Sequence, residues 1–571
     1  MQEQRTSRVG LFIAAVVAIA LILGYRTVAP SVGASCGPGS VVLVVAASQE
    51  KSTLLKELAQ GYRDQKASVG GRCVDVQVVA KASGDAEQAL ARGWSDDTDG
   101  ARPDVWSPAS SAWLTLLRQH RASRDVNTIV SERNPSLMRS PLVLAMPVKM
   151  AEALGWPDAS LGWSDILALA QDPAGWARHG HPEWGRFRLG KTNPTVSTSG
   201  LHALVASYFA ATGRAADLTE ADVTDPQVVA FVKGIESSVV HYGETVSTFT
   251  RNLRKADERG TALSYVSAIA IEEKQVWDYN EGTAGTRPAM PLAAIYPKEG
   301  TLVADHPYAV LNAPWVDDAK RAAAASFLTY LESPGPQERF RATGFRDHDG
   351  RGGPQVSLRN GLLPAGATVV IEPPAPGVLA RIQEQWDDVR KRARILMVLD
   401  TSGSMAGTKL ALMKDAALNA LDHFAPDDEL GIWSFDSVAR HLVPIGPVAQ
   451  QREAGKAAIR DSVAAGNTAL YATTRESVEH LRARLTPDRI NAVIFLTDGK
   501  NEHSDRDLEG LLRYLDVENE DQRVRVFTIG YGQDADAATL KRIAEATRAA
   551  FYDASTPQTI ERVFRDVVSN F

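Results

Sequence analysis

Residues 394–405 read RILMVLDTSGSM, an apolar run that ends on a carboxylate and continues with two serines spaced two apart. Such a run reads as a strand buried on both faces. Asp400 at its end, with Ser402 and Ser404 behind it, has no basic residue beside it in sequence. A buried carboxylate is costly unless a positive charge compensates it, so the stretch implies a missing cation.

Working outward from that strand, residues 393–571 alternate apolar runs with helical patterns. ILMVLD leads into a helix over Lys409–His423, and ELGIWSFDS precedes the helical ALYATTRESVEHLRARL. NAVIFLTDG and VRVFTIGYG follow, with two closing helices. Four apolar strands separated by helices predict a doubly wound α/β sheet, in which ligands sit beyond the carboxyl ends of the strands. Asp400 and Asp498 both close such strands and so converge at one edge. Together with Ser402, Ser404 and Thr468 they supply oxygen alone, which suits a hard divalent cation: Mg²⁺, with Ca²⁺ or Mn²⁺ as alternatives.

The motifs DTSGS, GNTALYA and LTDG, in that order, resemble the metal-ion-dependent adhesion site of von Willebrand factor type A domains, and TIGYG near Thr528 fits the family's later strand. The resemblance implies a Rossmann-like fold and a metal held by Asp400, Ser402, Ser404, Thr468 and Asp498. It also implies an acidic side chain from a protein partner completing the coordination shell. Asn467 stands where the family commonly has glycine.

Residues 40–372 show a second alternation. VVLVVAAS, VDVQVVAK and PDVWSP are strand-like and each precedes a helical stretch, which predicts a mostly parallel sheet. SPLVLAMP, GRFRLG, MPLAAIYP and HPYAVLNAP add further strands, and a helix over Asp317–Leu331 closes the series before ESPGPQERF. Pro364, Pro373, Pro374 and Pro376 mark a break, and residues 373–392 read as a linker helix whose Val378, Ile382, Trp386 and Val389 share one face.

The segments VVLVVAASQEKSTLLKELAQGY, KTNPTVSTSGLHALVASYFAATG, EEKQVWDYNEG and AAASFLTYLESPGPQ resemble type 2 extracellular solute-binding proteins of ABC importers, with molybdate and sulfate receptors nearest in style. The resemblance implies a bilobal periplasmic-binding fold closing on a solute. Independently of it, Ser48, Gln49, Ser107, Ser110, Ser111, Thr195, Ser197, Thr198 and Ser199 sit at strand ends and helix starts, where hydroxyls and free N–H groups can hold a small oxyanion. The same residue types are ordinary N-caps, so both readings stand.

The first residues carry a targeting pattern. Arg5 and Arg8 precede the uncharged run Val9–Gly24, and residues 9–28 read either as a retained membrane anchor, with 1–8 cytoplasmic, or as a cleaved signal peptide. Either way the remainder is exported. Cys36 and Cys73, the only cysteines, each precede an apolar run and are expected to pair in an oxidising compartment.

Composition narrows the classes further. The chain has 571 residues, 44% hydrophobic and 23% charged, with a net charge of −7 and no basic block, which excludes a general nucleic-acid binder. Metalloprotease, P-loop and paired-cysteine motifs are missing. His179 and His181 flank a glycine but read as solvated loop residues, and DHDGRGGPQVSL from Asp347 has Leu358 where a calcium loop has its closing glutamate. The expectation is a non-enzymatic, exported, membrane-anchored surface protein with a solute-binding and a metal-dependent protein-binding module. The alternative is an accessory receptor of an importer, docked on a permease or cell-wall partner through its second module.

Overall fold

The strand over Arg392–Asp400 is the centre of a six-stranded sheet, with Glu429–Phe435 on one side and Arg489–Thr497 on the other, both parallel to it. These strands belong to a computed structural model that describes residues 36 and 39–571, apart from 125, 533–534, 556–562 and 564–565. The segment 1–35, and with it the anchor or signal peptide read from residues 9–28, lies outside the described residues. Among the described residues no helix is long and apolar enough to cross a membrane.

Helices cover both faces of this sheet, and Ile395 to Leu399 are fully buried, as an unbroken apolar run requires. Two strands escape the sequence pattern. Ala439–Pro447 lies antiparallel at one edge and Phe551–Ala554 parallel at the other, so the sheet has six strands rather than four. Edge strands need only one buried face, and most residues of Ala439–Pro447 are exposed or half-buried, which leaves no apolar run to read.

The first module is built on two sheets, not one mostly parallel sheet. In the first lobe Val41–Ala47 runs between Arg72–Ala80 and Val105–Ser107, parallel to both. In the second lobe the fully buried Ser140–Pro147 pairs antiparallel with Ala268–Glu272 and with Leu292–Ile295, while Leu189–Thr192 lies parallel to its neighbours. Apolar content alone does not encode strand direction, so the mixed sheet was invisible in the sequence. The chain leaves the first lobe after helix Ser111–Ala122 and returns to it at Ala309–Val310, which pairs with Val105 and Trp106. Two crossings of this kind are the geometry of a hinge.

Helix Thr198–Thr212 shows how local sequence sets an element. It starts at Ser197 in extended conformation and stops where Gly213 takes φ +69°, a left-handed cap that closes on the carbonyls of Ala210 and Phe209. The helix over Asp317–Leu331, expected to be the last of its module, is followed by another that begins within ESPGPQERF: Pro334–Ala342. Proline at the first helical position lacks only an N–H that has no partner there.

Residues 373–392 form helices Pro376–Glu384 and Trp386–Val389 that pack into the interior. The face carrying Val378, Ile382, Trp386 and Val389 is the buried one. Tyr208 Oη donates to Gln385 Oε1 at 3.1 Å, and the Tyr242 ring meets Trp386 edge-on at 5.3 Å. One continuous apolar cluster therefore runs from the first lobe through the second to helix Thr408–His423 of the C-terminal module.

Further contacts fasten the second lobe to that module. Asn252 Nδ2 donates to Arg548 O and Asn193 Nδ2 to Ser569 O, each at 3.2 Å. Arg188–Asp521 at 3.0 Å and Arg259–Asp516 at 2.8 Å are ion pairs across the same seam. Cys36 and Cys73 are disulfide-bonded, with Cα atoms 5.7 Å apart.

Candidate functional sites

At the carboxyl edge of the third sheet, Asp400 is fully buried. Its Oδ1 accepts the Ser402 N–H at 2.8 Å and its Oδ2 accepts the Thr497 hydroxyl at 2.5 Å. These bonds aim the carboxylate and draw its proton affinity down. Burial and the nearby Asp498 carboxylate outweigh them and push the group up to about 6.

Two backbone bonds draw the first and second loops together: Gly403 N–H to Gly466 O at 2.9 Å and Ala465 N–H to Thr401 O at 2.8 Å. Ser402 and Ser404 hydroxyls stand 3.1 Å apart, with Ser404 exposed, so the edge opens to solvent. Thr468 Oγ1 and Asp498 Oδ1 are buried without a hydrogen-bond partner. Unsatisfied buried oxygens are rare in folded proteins, and an oxygen-only donor set fits a hard divalent cation. Bound there, the ion would be held by Asp400, Ser402, Ser404, Thr468 and Asp498, and would supply an electrophilic centre for a carboxylate. Lys409, which the sequence reading passed over, brings Nζ to 3.2 Å from Asp498 Oδ2.

A second site lies between the two lobes of the first module, where a cavity of about 230 Å³ opens. Of the residues expected there, Ser48, Gln49, Ser197, Thr198 and Ser199 line it. Ser107, Ser110, Ser111 and Thr195 are not on its wall. Ser110 Oγ accepts the Ala112 N–H as an N-cap, Ser111 is bound to Asp305 at 2.5 Å and 2.7 Å, and the Thr195 hydroxyl donates to Asn193 Oδ1. For Ser110 the capping reading therefore describes the geometry. Ser48 does not cap its helix, since its hydroxyl donates to Glu50.

The wall also holds residues that were not among the expected cleft residues: Glu50, Glu272 and Asp278, which lie within two of the segments quoted for the resemblance, and Arg254. The wall thus sets carboxylates and a single guanidinium beside the expected hydroxyls. Glu272 ends its strand as Asp400 does, and that position was the one available signal.

Behind this wall sits a buried chain of charge. Lys51 Nζ lies 3.1 Å from His306 Nδ1, and His306 Nε2 lies 3.4 Å from Glu272 Oε2. An ammonium can only donate, so Nδ1 accepts and the ring proton resides on Nε2, facing Glu272. Burial lowers Lys51 to about 8 and His306 to about 3, and raises Glu272 to about 7. Glu50, Glu272 and His306 are close enough to hold a metal, but Lys51 already provides their positive charge. His181, by contrast, stacks on Trp184 at 3.7 Å, an ordinary surface contact.

A family model described as bacterial extracellular solute-binding protein matches residues 43–346, and one for the von Willebrand factor type A domain matches residues 395–566. An uncharacterized protein of Synechocystis sp. is 30% identical over 180 residues, which cover 32% of this chain and 42% of that one. Among solved structures, a von Willebrand factor type A protein from Catenulispora acidiphila is 23% identical, covering 32% of this chain and 43% of that chain with a TM-score of 0.28. The periplasmic binding protein AfuA from Actinobacillus pleuropneumoniae, with exogenous fructose-6-phosphate bound, is 13% identical and covers 62% of this chain and 100% of that chain with a TM-score of 0.41. The chain spans less than half the length of the curated relatives it matches.

Proposed function

The chain belongs to the bacterial extracellular solute-binding protein family and carries a von Willebrand factor type A domain behind that module, and from this premise we propose that it is an exported two-headed binding protein. The interlobe cleft takes a small polar solute. The C-terminal module binds Mg²⁺, with Ca²⁺ or Mn²⁺ as alternatives, through Asp400, Ser402, Ser404, Thr468 and Asp498, and engages the acidic side chain of a protein partner. Residues 9–28 hold the chain at the membrane with the bulk outside. The Cys36–Cys73 disulfide supports an oxidising compartment.

The observation that carries the reading is the pair of buried oxygens, Thr468 Oγ1 and Asp498 Oδ1, left without a protein donor beside the aimed carboxylate of Asp400. A set with few charged donors leaves a bound ion electrophilic, so a visiting carboxylate gains by joining it. Binding rather than catalysis follows from such a site.

Calorimetric titration of the chain with Mg²⁺ and Mn²⁺ tests this. One saturable site is expected, lost in Asp400→Ala and Thr468→Ala. Absence of uptake by the unmodified chain would overturn the reading.

A further inference from the structure

A second cavity, of about 120 Å³, opens at the seam between the second lobe and the C-terminal module, apart from both sites above. Its wall collects cations from four separate stretches of chain. Arg186 and Arg188 precede strand Leu189–Thr192, Lys391 lies in the joining segment, and Arg489, Arg523 and Arg525 sit at or just before the starts of two neighbouring strands of the third sheet. This is the amino edge of that sheet, so the cavity and the metal edge lie a strand length apart, about 25–30 Å.

The charge does not balance. Two carboxylates, Glu520 and Asp521, line the cavity. Asp521 is taken by Arg188 at 3.0 Å. Glu520 is shared by Arg523 at 2.6 Å, Arg525 at 3.0 Å and Arg548. Arg489 leans on Glu429 at 3.3 Å, which Arg394 also uses. Among the described residues neither Arg186 nor Lys391 forms a close ion pair: Lys391 Nζ donates to the Val239 carbonyl at 3.0 Å, and the Asp488 and Asp521 carboxylates act on it only from farther off. Burial lowers Lys391 to about 8, and burial likewise lowers Arg525 and Arg548 despite their Glu520 partner. Six cations around one cavity, with Lys391 and Arg525 desolvated and Arg186 at the open side, favour a counter-anion.

We propose that the cavity is a binding site for a phosphate-type oxyanion, held by Lys391 and Arg186 and clamping the second lobe to the C-terminal module. Guanidinium forks match tetrahedral oxyanions through paired N–H donors, and a dianion neutralises the two cations that lack a close ion pair. The volume admits a phosphate group with a few waters and is too small for a peptide or a nucleic-acid strand. Free phosphate and the phosphate of a small monoester present the same chemistry.

The test is calorimetric and thermal titration of the whole chain with inorganic phosphate, with glycerol phosphate as a monoester, and with chloride at matched ionic strength. Saturable one-to-one uptake of phosphate with a rise in the unfolding midpoint is expected. Arg186→Gln and Lys391→Met should each weaken it by roughly tenfold or more, as loss of a charge-assisted bond predicts, while Mg²⁺ uptake stays unchanged. Arg186 is exposed, so its variant keeps the test valid should the other fail to fold. Tighter uptake of the monoester supports the site and assigns an organic source. No saturable uptake at millimolar phosphate, equal stabilisation by chloride, or unaltered affinity in Arg186→Gln overturns the proposal.

Discussion

Lys409 Nζ stands 3.2 Å from Asp498 Oδ2, so a side chain from the helix behind the first loop reaches a carboxylate of the proposed metal site. A unit positive charge at that distance competes with an incoming dication. Replacing it with a neutral side chain of similar length, Lys409→Met, should tighten Mg²⁺ and Mn²⁺ binding by about tenfold in calorimetric titration. Unchanged or weaker binding would mean that the lysine supports the occupied site instead.

Asp400 sets a pH signature for the metal-free chain. Its carboxyl titrates at about 6 in the folded state against 3.8 ordinarily. A raised folded value contributes stability that is fully present below pH 3.8 and is lost as pH rises through 6, on the order of 3 kcal/mol in total. Metal binding needs the deprotonated form, so stabilisation by Mg²⁺ should grow across the same interval. Thermal midpoints with chelator and with Mg²⁺ are expected to diverge from pH 4 to pH 7, and Asp400→Asn should abolish the divergence. Parallel curves would contradict it.

What the sequence revealed about these groups follows from how locally each is determined. Asp400, Ser402 and Ser404 lie within five residues, and Asp498 closes an apolar run, so their shared edge was legible from strand order alone. Lys409 was not, because its approach depends on the angle at which helix Thr408–His423 leaves the first loop. In the cleft, Ser48 and Ser197 could be read as helix starts, but Glu272, Asp278 and Arg254 of the second lobe meet Ser48 of the first only through the closure of two lobes. Edge strands and strand direction were hidden for a related reason: Ala439–Pro447 carries no two-sided burial, and Ser140–Pro147 is as apolar antiparallel as it would be parallel.

The docked helices at 376–389 give a prediction about cooperativity. Trp386 is buried against Tyr242, within the apolar cluster that runs through both modules. Trp386→Ala should cost about 3–5 kcal/mol and split a single calorimetric transition into two, since the shared core is what couples the modules. One transition with a loss below about 1 kcal/mol would show that the seam's polar contacts suffice.

The disulfide closes a loop with a sequence separation of 37 residues. On the loop-entropy account its removal by Cys73→Ser should lower stability by about 3–4 kcal/mol in denaturant unfolding. An unchanged midpoint would place the unfolded-state constraint elsewhere.

Gly84 and Thr195 hold the two lobes in contact. The Gly84 N–H donates to Val196 O at 2.9 Å, and a Cβ at Gly84 would stand 2.1 Å from Thr195 O and 2.7 Å from Val196 Cα. Both opposing atoms are backbone, so no side-chain rotation relieves the clash. Nearby, Trp113 Nε1 donates to Thr198 Oγ1 at 2.8 Å and Ser110 Oγ meets His202 Nε2 at 2.9 Å, which ties helix Ser111–Ala122 to helix Thr198–Thr212 in the closed arrangement. Gly84→Ala should therefore part the lobes, enlarging the radius of gyration in solution scattering and weakening solute uptake by roughly tenfold or more, because closure brings Ser48, Gln49, Glu50, Ala82 and Ser83 to the cleft wall. Mg²⁺ uptake at Asp400 and Asp498 should be unaffected, since that edge belongs to the other module. A scattering curve that superimposes on the unmodified chain's would mean that this contact does not govern closure.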